Sequence, residues 1–407
     1  EWLPLSKVFN LRNGYTPSKT KKEFWANGDI PWFRMDDIRE NGRILGNSLQ
    51  KISSCAVKGG KLFPENSILI STSATIGEHA LITVPHLANQ RFTCLALKES
   101  YADCFDIKFL FYYCFSLAEW CRKNTTMSSF ASVDMDGFKK FLIPRPCPDN
   151  PEKSLAIQSE IVRILDKFTA LTAELTAELN MRKKQYNYYR DQLLSFDDEQ
   201  EKPIYLEKLL DGVEVEWLPL GEVSALRRGR VMSKGYLTEN FGPYPVYSSQ
   251  TANNGKIGSI NTFDFDGEYI SWTTDGANAG TVFYRTGKFS ITNVCGLITL
   301  KNKYPLIYKF LFYWLTIEAK KHVYSGMGNP KLMSHQVENI PVPVPCPDNP
   351  EKSLAIQSEI VRILDKFDTL TNSITEGLPR EIELRQKQYE YYRDLLFSFP
   401  KPETVSN

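Results

Sequence analysis

The chain has 407 residues, more than one ordinary domain holds, which predicts two to four structural units. Its 42% hydrophobic and 24% charged residues are typical of a soluble globular protein, and no apolar run approaches the roughly 18 residues of a membrane-spanning helix. The formal net charge of +1 argues against a uniformly basic polyanion-binding protein.

The first segment of the chain predicts a mixed α/β domain of short strands and turns. Ser67–Ser71 is an expected buried strand, and it leads into the small polar loop Thr72–Gly77. A helix is expected over Ile107–Lys123. A strand at Phe141–Ile143 then leads into a proline-rich stop, Pro144–Pro151.

A long helix is predicted to follow this domain. From Ile161 to Phe196, eleven positions follow one another at alternating spacings of four and three, and nine of them are apolar or aromatic, which is the pattern of a coiled-coil seam. The middle of the segment carries one tetrapeptide twice, as Thr172–Leu175 and Thr176–Leu179. At about 1.5 Å per residue, a helix over Lys153–Phe196 would be roughly 65 Å long, which is the length of a spacer.

The second half of the chain repeats the first. The 22 residues Cys147–Phe168 recur unchanged at Cys346–Phe367, and Glu1–Leu5 recurs as Glu216–Leu220. We therefore predict a tandem duplication of domain and helix, because a period of about 200 residues lets each domain bury its own core. Residue 1 is not methionine and no counterpart of residues 205–215 precedes it, so a natural start upstream is expected.

The second domain is expected to repeat the element order of the first. Its predicted elements are the strand Tyr269–Trp272, the loop Thr273–Gly280, the strand Thr281–Tyr284, the helix Leu306–Val323 and a proline-rich exit, Pro341–Pro350.

The second helical segment is longer than the first by four residues. From Phe168 to Tyr186 is 18 residues, whereas 22 separate Phe367 from Tyr389. Four extra residues in a heptad pattern are a stutter. They fall around Gly377–Pro379, where glycine and proline are expected to kink or break the helix.

These features predict a mixed α/β fold of two globular domains and two long helices, with a pseudo-twofold internal repeat. The shared heptad phase makes each helix the expected partner of the other, although each stripe could instead cover the core of its own domain. The predicted segments are a first domain (1–146), a first helical region (147–196), a linker and entry to the second repeat (197–216), a second domain (217–345), a second helical region (346–399) and a tail (400–407). The predicted seam residues are Ile161, Leu165, Phe168, Leu175, Leu179, Ile360, Leu364 and Phe367.

Charge alternates along the chain. Residues 1–146 hold 19 Lys and Arg against 14 Asp and Glu, a net charge of +5, and residues 217–345 hold 13 against 8, again +5. Residues 147–216 (9 against 15) and 346–407 (8 against 11) carry −6 and −3. Basic domains thus alternate with acidic helical segments. This pattern fits polyanion binding by the domains alone, although +5 on a domain of this size is often without function.

This order of parts resembles the specificity subunit of type I restriction–modification systems, and in particular its type IC subfamily. The segments that resemble the subfamily nearly letter for letter are Tyr205–Val223, Cys147–Phe168, the two Thr-Ala-Glu-Leu copies and Arg182–Phe196. The resemblance covers the full chain in architecture; it is specific in the helical third and generic in the two domains. The chain departs from the family pattern at its start and in the middle of the second helix.

The resemblance implies a non-enzymatic, sequence-specific DNA-binding subunit in the cytoplasm. Each domain would be a target-recognition domain that reads one half of a bipartite double-stranded DNA target. The helices would pair antiparallel as a coiled coil that sets the spacer. Two methyltransferase subunits would dock on this frame and support two restriction and translocase subunits, in a system that methylates adenine and defends against phage. S-adenosylmethionine, ATP and Mg would belong to those partners, with no cofactor, no metal and no membrane for this chain.

The sequence lacks the catalytic motifs that a DNA-modifying enzyme would need, which agrees with a non-catalytic chain. No Asn-Pro pair continues into the Asn-Pro-Pro-Tyr or Asn-Pro-Pro-Phe that holds a flipped base, and no glycine loop for phosphates is present. The eight cysteines form no C-x-x-C pair, so reduced thiols in a cytosolic protein are favoured over a zinc site. A nuclease site of scattered carboxylates stays open, although turn and cap residues are the simpler interpretation of its candidates, Asp36, Asp37, Asp134 and Asp136.

Basic clusters are the candidate DNA contacts, because basic loops neutralise phosphates while Arg, Asn and Gln pair with base edges. The candidates are Arg12, Lys19, Lys21, Lys22 and Arg34 in the first domain and Arg227, Arg228, Arg230 and Lys234 in the second. Arg12 and Arg227 hold equivalent positions in the repeat, which favours a shared role in backbone contact, with solvated basic loops as the alternative. The loops Thr72–Gly77 and Thr273–Gly280 could let DNA approach closely or serve as structural turns.

Two other functions stay open from the sequence. A standalone nuclease or methyltransferase would show turnover on DNA by the purified chain with its cofactor. A coiled-coil scaffold without a DNA role would show absent or salt-insensitive DNA binding, whereas a DNA reader shows a steep negative salt dependence.

Overall fold

The protein divides into two compact units in a computed structural model that describes residues 1–126, 131–196, 208–326 and 328–401. One unit comprises Glu1–Glu174 with the chain from Ile382 onward, and the other comprises Leu175–Glu381. Each unit therefore combines one globular domain with parts of both helical segments. Most of the predicted linker (197–207) and most of the predicted tail (402–407) lie outside the described residues.

The first domain is mixed α/β, as predicted. Its strands are β1 (Trp2–Pro4), β2 (Phe9–Asn13), β3 (Ile30–Phe33), β4 (Ile44–Leu45), β5 (Lys51–Ile52), β6 (Ser67–Ser71), β7 (His79–Ile82), β8 (Leu87–Ala88), β9 (Phe92–Leu97), β10 (Thr125–Thr126), β11 (Ser132–Val133) and β12 (Leu142–Pro144). Its helices are α1 (Leu5–Val8), α2 (Met35–Asn41), α3 (Ile107–Lys123) and α4 (Met135–Lys140), and the long helix α5 (Pro151–Leu193) follows. Single 3₁₀ turns occur at Lys22–Phe24, Ser54–Ala56, Lys58–Gly60 and Glu99–Tyr101.

A five-stranded sheet in the order β2-β9-β6-β7-β4 forms the frame of the first domain. Its central strand, β6, is buried along its whole length because both faces are covered. On one face Ile68 and Ile70 pack in the core that contains α3, and on the other Leu69 packs in a second core that contains residues of β3, β5 and β8. A strand covered on both faces needs a continuous apolar run rather than an alternating one, which is why Ser-Ile-Leu-Ile-Ser forms this strand.

The helix α3 begins and ends at the predicted residues, Ile107 and Lys123. The Asp106 carboxylate caps it, because its Oδ1 accepts from the backbone N–H groups of Lys108 and Phe109 at 2.7 and 3.3 Å. Such a cap stabilises a helix by about 1 kcal/mol. The buried face of α3 then supplies the largest block of the first domain's core.

The second domain repeats this plan with longer strands. They are β13 (Val215–Pro219), β14 (Ser224–Arg228), β15 (Phe241–Tyr247), β16 (Lys256–Ile260), β17 (Phe265–Thr273), β18 (Val282–Ile291), β19 (Cys295–Leu300) and β20 (Pro341–Pro345). Its helices are α6 (Leu220–Val223), α7 (Lys234–Glu239), α8 (Tyr308–Glu318) and α9 (Ser334–Val337), with 3₁₀ turns at Ala252–Gly255 and Ala319–His322. The main sheet has the order β14-β19-β17-β18-β15-β16.

The prediction that Pro341–Pro350 forms a proline-rich exit from the domain is wrong for its first half, which is a strand. β20 pairs antiparallel with β13, with Trp217 opposite Pro343 and Leu218 opposite Val342. Prolines alternate with valines in β20, and Val342 and Val344 are buried in the domain core. Proline is tolerated at a strand edge where no ladder donor is needed, and β13 and β20 form a sheet of two strands.

The helix α5 is continuous over 43 residues, which corresponds to about 65 Å. It begins at Pro151 rather than at Lys153, because proline fits the first helical position. The Asn150 side chain caps this start by accepting from the Lys153 backbone N–H at 3.0 Å. In the part of the chain that the structure describes, no helix is long and apolar enough to cross a membrane.

The second helical region is interrupted, as predicted, but the break lies at residues 373–376, just before Gly377–Pro379. Helix α10 (Pro350–Asn372) ends before a short non-helical segment, and helix α11 (Gly377–Leu396) follows. The Ser373 hydroxyl accepts from the backbone N–H groups of Thr375 and Glu376 within that segment. Gly377 has a φ of +78°, and a Cβ there would lie 2.4 Å from the Thr369 carbonyl oxygen, so only glycine fits.

Candidate nucleic-acid interface

In the second domain, four backbone segments meet beside the ends of the sheet strands. The Thr292 N–H donates to the Tyr247 carbonyl at 2.9 Å, and the Thr274 N–H donates to the Val294 carbonyl at 3.0 Å. The Arg230 N–H donates to the Ile291 carbonyl at 3.3 Å. We call residues 228–233, 248–255, 274–280 and 292–294 the second loop cluster. Loops carried by a rigid sheet are a common location for binding residues.

The predicted arginines lie in or next to this cluster. Arg227, Arg228 and Arg230, which we call the arginine triplet, are all exposed, as is Lys234. Arg228 Nη2 donates to the Asn293 carbonyl at 2.7 Å, and Arg230 Nε donates to Asp264 Oδ2 at 2.9 Å. The side chains of Arg227 and Lys234 make no hydrogen bond or ion pair with another described residue. The triplet therefore combines one free guanidinium with two that are partly engaged.

The first domain contains an equivalent arrangement, which we call the first loop cluster (residues 13–16, 72–77 and 88–91). The Thr72 N–H donates to the Arg91 carbonyl at 2.9 Å, and the Tyr15 N–H donates to the Ala88 carbonyl at 2.8 Å. The Thr93 hydroxyl donates to Asn13 Oδ1 at 3.0 Å. As in the second domain, the end of the first sheet strand and the loop after the central strand come together.

The predicted residues of the first domain are more dispersed. Arg12 Nη1 and Nη2 donate to the carbonyls of Leu62 and Lys61 at 2.9 and 3.0 Å, and its guanidinium lies 4.9 Å from the Phe63 ring centre. Arg12 thus holds the segment before β6 in place, a contact that the structure does not repeat at Arg227 among the described residues. Arg34 is half-buried and lies 3.7 Å from an Asp36 oxygen. The three lysines predicted to contact DNA in the first domain are exposed: Lys19, Lys21 and Lys22.

The two polar loops, Thr72–Gly77 and Thr273–Gly280, each end in a glycine that packs closely on a helix. A Cβ at Gly77 would lie 2.8 Å from the Ala118 carbonyl oxygen, and a Cβ at Gly280 would lie 3.4 Å from that of Ala319. Both glycines have a positive φ, of +88° and +79°. Their ends are therefore structural turns, while the segments before them belong to the loop clusters.

The candidate carboxylates include two that serve as turn and cap groups. Asp37 is fully buried, and its two carboxylate oxygens accept from the backbone N–H groups of Arg34 and Leu49, each at 2.6 Å. Asp134 caps α4 by accepting from the Asp136 N–H at 3.1 Å. Among the described residues, no group of three or more His, Cys, Asp or Glu side chains is placed to hold a metal ion.

The predicted seam residues divide between domain cores and helix contacts. Ile161 and Leu165 are buried in the core of the first domain, together with Tyr389 of α11. Phe168 stacks on Tyr392 of α11 at 5.5 Å between ring centres. In this unit, the early part of α5 thus lies with the final helix of the chain.

The second unit repeats the arrangement with the order of the helices reversed. Ile360 and Leu364 of α10 are fully buried in the core of the second domain, together with Leu193 of α5. Phe367 stacks on Tyr189 at 5.6 Å between ring centres. The early part of one helix and the late part of the other therefore pair in each unit, as in an antiparallel coiled coil. Leu175 and Leu179 are half-buried.

Side chains that the sequence analysis missed attach each domain to its helix. In the first domain, Gln158 is fully buried; its Oε1 accepts from the Asp106 N–H and its Nε2 donates to the Cys104 carbonyl, both at 2.9 Å. Asp166 accepts from Lys108 Nζ at 2.8 Å and from the Tyr112 hydroxyl at 2.7 Å. We call Lys108, Tyr112, Gln158 and Asp166 the first docking cluster.

The second domain contains the same set, the second docking cluster, formed by Lys309, Tyr313, Gln357 and Asp365. Gln357 accepts from the Ile307 N–H at 2.9 Å and donates to the Pro305 carbonyl. Asp365 accepts from Lys309 Nζ and from the Tyr313 hydroxyl at 2.7 and 2.6 Å. Burial raises the pKa of both tyrosines, so their phenols stay protonated and donate. The sequence could have revealed these clusters, because each of the four residues has an identical counterpart in the other half of the chain.

Comparison with known proteins assigns the family. A family model described as the type I restriction modification DNA specificity domain matches residues 1–182 and again residues 212–384. The chain belongs to this family of type I restriction–modification specificity subunits. The paired match coincides with the duplication seen in both sequence and structure.

Individual relatives agree with this assignment. This specificity subunit is 63% identical over 380 residues to the type I restriction enzyme EcoprrI specificity subunit of Escherichia coli, covering 92% of this chain and 89% of that protein. It is 45% identical over 310 residues to the EcoR124I/EcoR124II specificity subunit of the same organism, covering 70% and 71%. Its fold matches the crystal structure of a type I system S subunit from M. genitalium, with a TM-score of 0.55 at 17% identity over 98% and 96% of the two chains.

The protein is therefore the DNA target-recognition component of a type I system, and catalysis resides in the partner subunits of such systems. The standalone enzyme and the scaffold without a DNA role, both open from the sequence, are not the functions of this family. The residues that contact DNA stay predictions.

Proposed function

We propose that each domain of this specificity subunit reads one half of a bipartite double-stranded DNA target, with its loop cluster as the reading surface. The observation that carries the proposal is the recurrence of the cluster in both domains, at the end of β2 and after β6 in one and at the end of β14 and after β17 in the other. Two independent readers in one chain suit a target of two parts. The net charge of +5 on each domain favours contact with phosphates.

The proposed role of α5 is that of the spacer between the two readers. The continuity of α5 over 43 residues supports that role, because an unbroken helix has a defined length. The first docking cluster supports it as well, because a buried glutamine and an aspartate that accepts two hydrogen bonds fix the first domain on α5. The second docking cluster fixes the second domain on α10 in the same way. A reader held rigidly on a rod transmits a change in the rod's length to the DNA. The segment boundaries predicted from the sequence define the readers and the rod in this proposal.

We further propose that the repeated helix ends dock two methyltransferase subunits, which in turn support two restriction and translocase subunits. The segments Arg182–Phe196 and Arg385–Phe399 are nearly the same sequence, and both present an exposed tyrosine, Tyr188 and Tyr391. Two copies of one surface suit two copies of one partner. S-adenosylmethionine, ATP and Mg are then bound by those partners in the cytoplasm, and this chain needs no cofactor of its own.

Exchange of one domain tests the proposed division of reading. Residues 217–345 are replaced by the corresponding domain of a relative, and the hybrid is expressed with its cognate methyltransferase subunit. Methylation is then mapped across the genome. We expect the hybrid to change one half of the methylated sequence and to keep the other half. A change in both halves, or in neither, contradicts independent reading by the two domains.

A further inference from the structure

The loop between β15 and β16 has a backbone that few residue types adopt. Asn253 and Asn254 have φ of +50° and +53°, and Gly255 follows with a φ of +81°. Left-handed conformations are tolerated by asparagine and glycine and cost other residues about 1–2 kcal/mol each. This left-handed turn lies in the connection between Tyr247 and Lys256, which pair across the two antiparallel strands. Both asparagine side chains are exposed.

The buried side chain of Arg285 packs against the loop. Arg285 is buried, with its guanidinium carbon 3.6 Å from the Tyr247 ring centre and its Nε donating to the Ser271 hydroxyl at 3.0 Å. A Cβ at Gly255 would lie 3.2 Å from Arg285 Nη2 and 3.1 Å from the Ser248 carbonyl oxygen. The guanidinium thus packs directly beneath the turn. Among the described residues no carboxylate pairs with it.

The hydrogen bonds of the loop leave two amide groups unused. Gln250 Nε2 donates to the Lys256 carbonyl, and the Ser248 N–H donates to the Gly255 carbonyl at 2.8 Å, so both groups serve to close the loop. For the side chains of Asn253 and Asn254, no hydrogen bond joins them to another described residue. The segment from residue 248 to residue 256 contains no carboxylate and ends in an exposed lysine.

The position of the loop relates it to the arginine triplet. The Thr292 hydroxyl donates to the Ser248 hydroxyl at 2.9 Å, and the Asn278 amide donates to the Ser249 carbonyl at 3.1 Å. Asn293, next to Thr292, accepts from Arg228. The arginines that we expect to contact phosphates and the free amide groups therefore lie in or next to the same loop cluster, and reading a base edge while contacting the backbone requires this combination.

We propose that Asn253 and Asn254 form a preorganised base-reading element, in which one of the two amides binds an adenine in the DNA half-site of the second domain. An asparagine amide matches the N6 donor and N7 acceptor that adenine exposes in the major groove. A fixed loop makes this contact without the entropic cost of ordering a mobile one. The inference rests on the proposed function, since it assigns a base contact within the reading surface of one domain.

Glycine substitutions test the element, because glycine keeps the left-handed turn and removes the amide. Asn253→Gly, Asn254→Gly and the double variant are each expressed in the full chain with the cognate methyltransferase subunit, and genomic methylation is mapped. Asn302→Gly is the control for the loss of an exposed asparagine amide. Asn302 is also exposed and in a turn, but it follows the far end of β19, whose first residue, Cys295, adjoins the loop cluster.

We expect Asn253→Gly or Asn254→Gly to relax the methylated sequence at one adenine position of one half-site, with discrimination there reduced about 5- to 150-fold. The other half-site and the Asn302→Gly protein keep the original sequence. An unchanged sequence in both single variants and in the double variant overturns the inference. An equal loss of methylation at every sequence also overturns it, by assigning the loop to backbone contact or assembly. If the unaltered protein methylates no two-part sequence, the proposed function itself fails, and this inference fails with it.

Discussion

The buried glutamine of the first docking cluster gives the prediction that the structure defines most sharply. Gln158 is fully buried and bonds the Asp106 N–H, the Cys104 carbonyl and the Ser154 hydroxyl, at 2.9, 2.9 and 3.2 Å. The change Gln158→Ala leaves a backbone donor and a backbone acceptor without partners, and each such group costs about 1–3 kcal/mol. Because the Asp106 N–H and the Cys104 carbonyl are only partly buried, we expect the attachment of the first domain to α5 to be destabilised by about 2–4 kcal/mol in total.

Hydrogen exchange measures this effect where it arises. A loss of 2–4 kcal/mol corresponds to exchange about 30- to 900-fold faster, at 1.36 kcal/mol per tenfold, in the peptide that contains Asp106 and the start of α3. Gln357→Ala is expected to do the same at Ile307 in the second domain. Gln386→Ala is the control, because that side chain is exposed and, among the described residues, hydrogen-bonds only Glu390 within α11, so its effect should stay within about 0.5 kcal/mol. Equal exchange in Gln158→Ala and Gln386→Ala would show that the glutamine does not hold the domain on its helix.

Three further outcomes are expected. Changing the arginine triplet to alanine should weaken binding to all DNA sequences and reduce the slope of log affinity against log salt by up to about three units, while an unchanged slope would make the triplet a solvated surface. Burial, followed by the charge of Arg43, lowers the pKa of His79 to about 3, so the imidazole is neutral in the folded state. The free energy of unfolding of the first domain should therefore fall by up to about 1.4 kcal/mol per pH unit as the pH falls below about 6.5. The variant His79→Gln should remove that part of the acid sensitivity. One more Thr-Ala-Glu-Leu in α5 adds about 6 Å and 40°, so the methylated half-sites should keep their sequences and stand one or two base pairs farther apart.

Much of the fold could be predicted because local signals and burial agree. The bounds of α3 follow from an apolar face behind a capping aspartate, and β6 follows from an apolar run between polar turns. The strand β20 was missed because its alternating prolines suggest a stop, and only its pairing with β13 shows that the prolines occupy positions without a ladder donor. The break in the second helix was predicted from Gly377 and Pro379, but its position depends on the turn that Ser373 closes.

The candidate site was predicted less completely, since a contact to DNA depends on which side chains the fold leaves unpaired. Arg12 and Arg227 are equivalent in sequence, yet Arg12 bonds two carbonyls of its own domain while Arg227 is free of such contacts among the described residues. The turn at Asn253 and Asn254 carried a signal that was overlooked, because Asn-Gly is a typical turn dipeptide. That its amides are unused becomes evident only when the bonds of the loop are known.

The two helical segments differ in continuity, and we expect this difference to distinguish their effects on the spacing of the half-sites. Helix α5 has no interruption between Pro151 and Leu193, so four residues added within it must lengthen the rod by about 6 Å. The other segment is already broken between Asn372 and Gly377, where four residues of Gly and Ser can be added to a stretch that is not helical. We expect the insertion in α5 to lengthen the spacer in the methylated sequence and the insertion in the break to leave it unchanged. If both insertions change the spacer equally, the distance is set by the paired helices together; if neither does, the readers are positioned by the partner subunits and α5 is a support rather than a ruler.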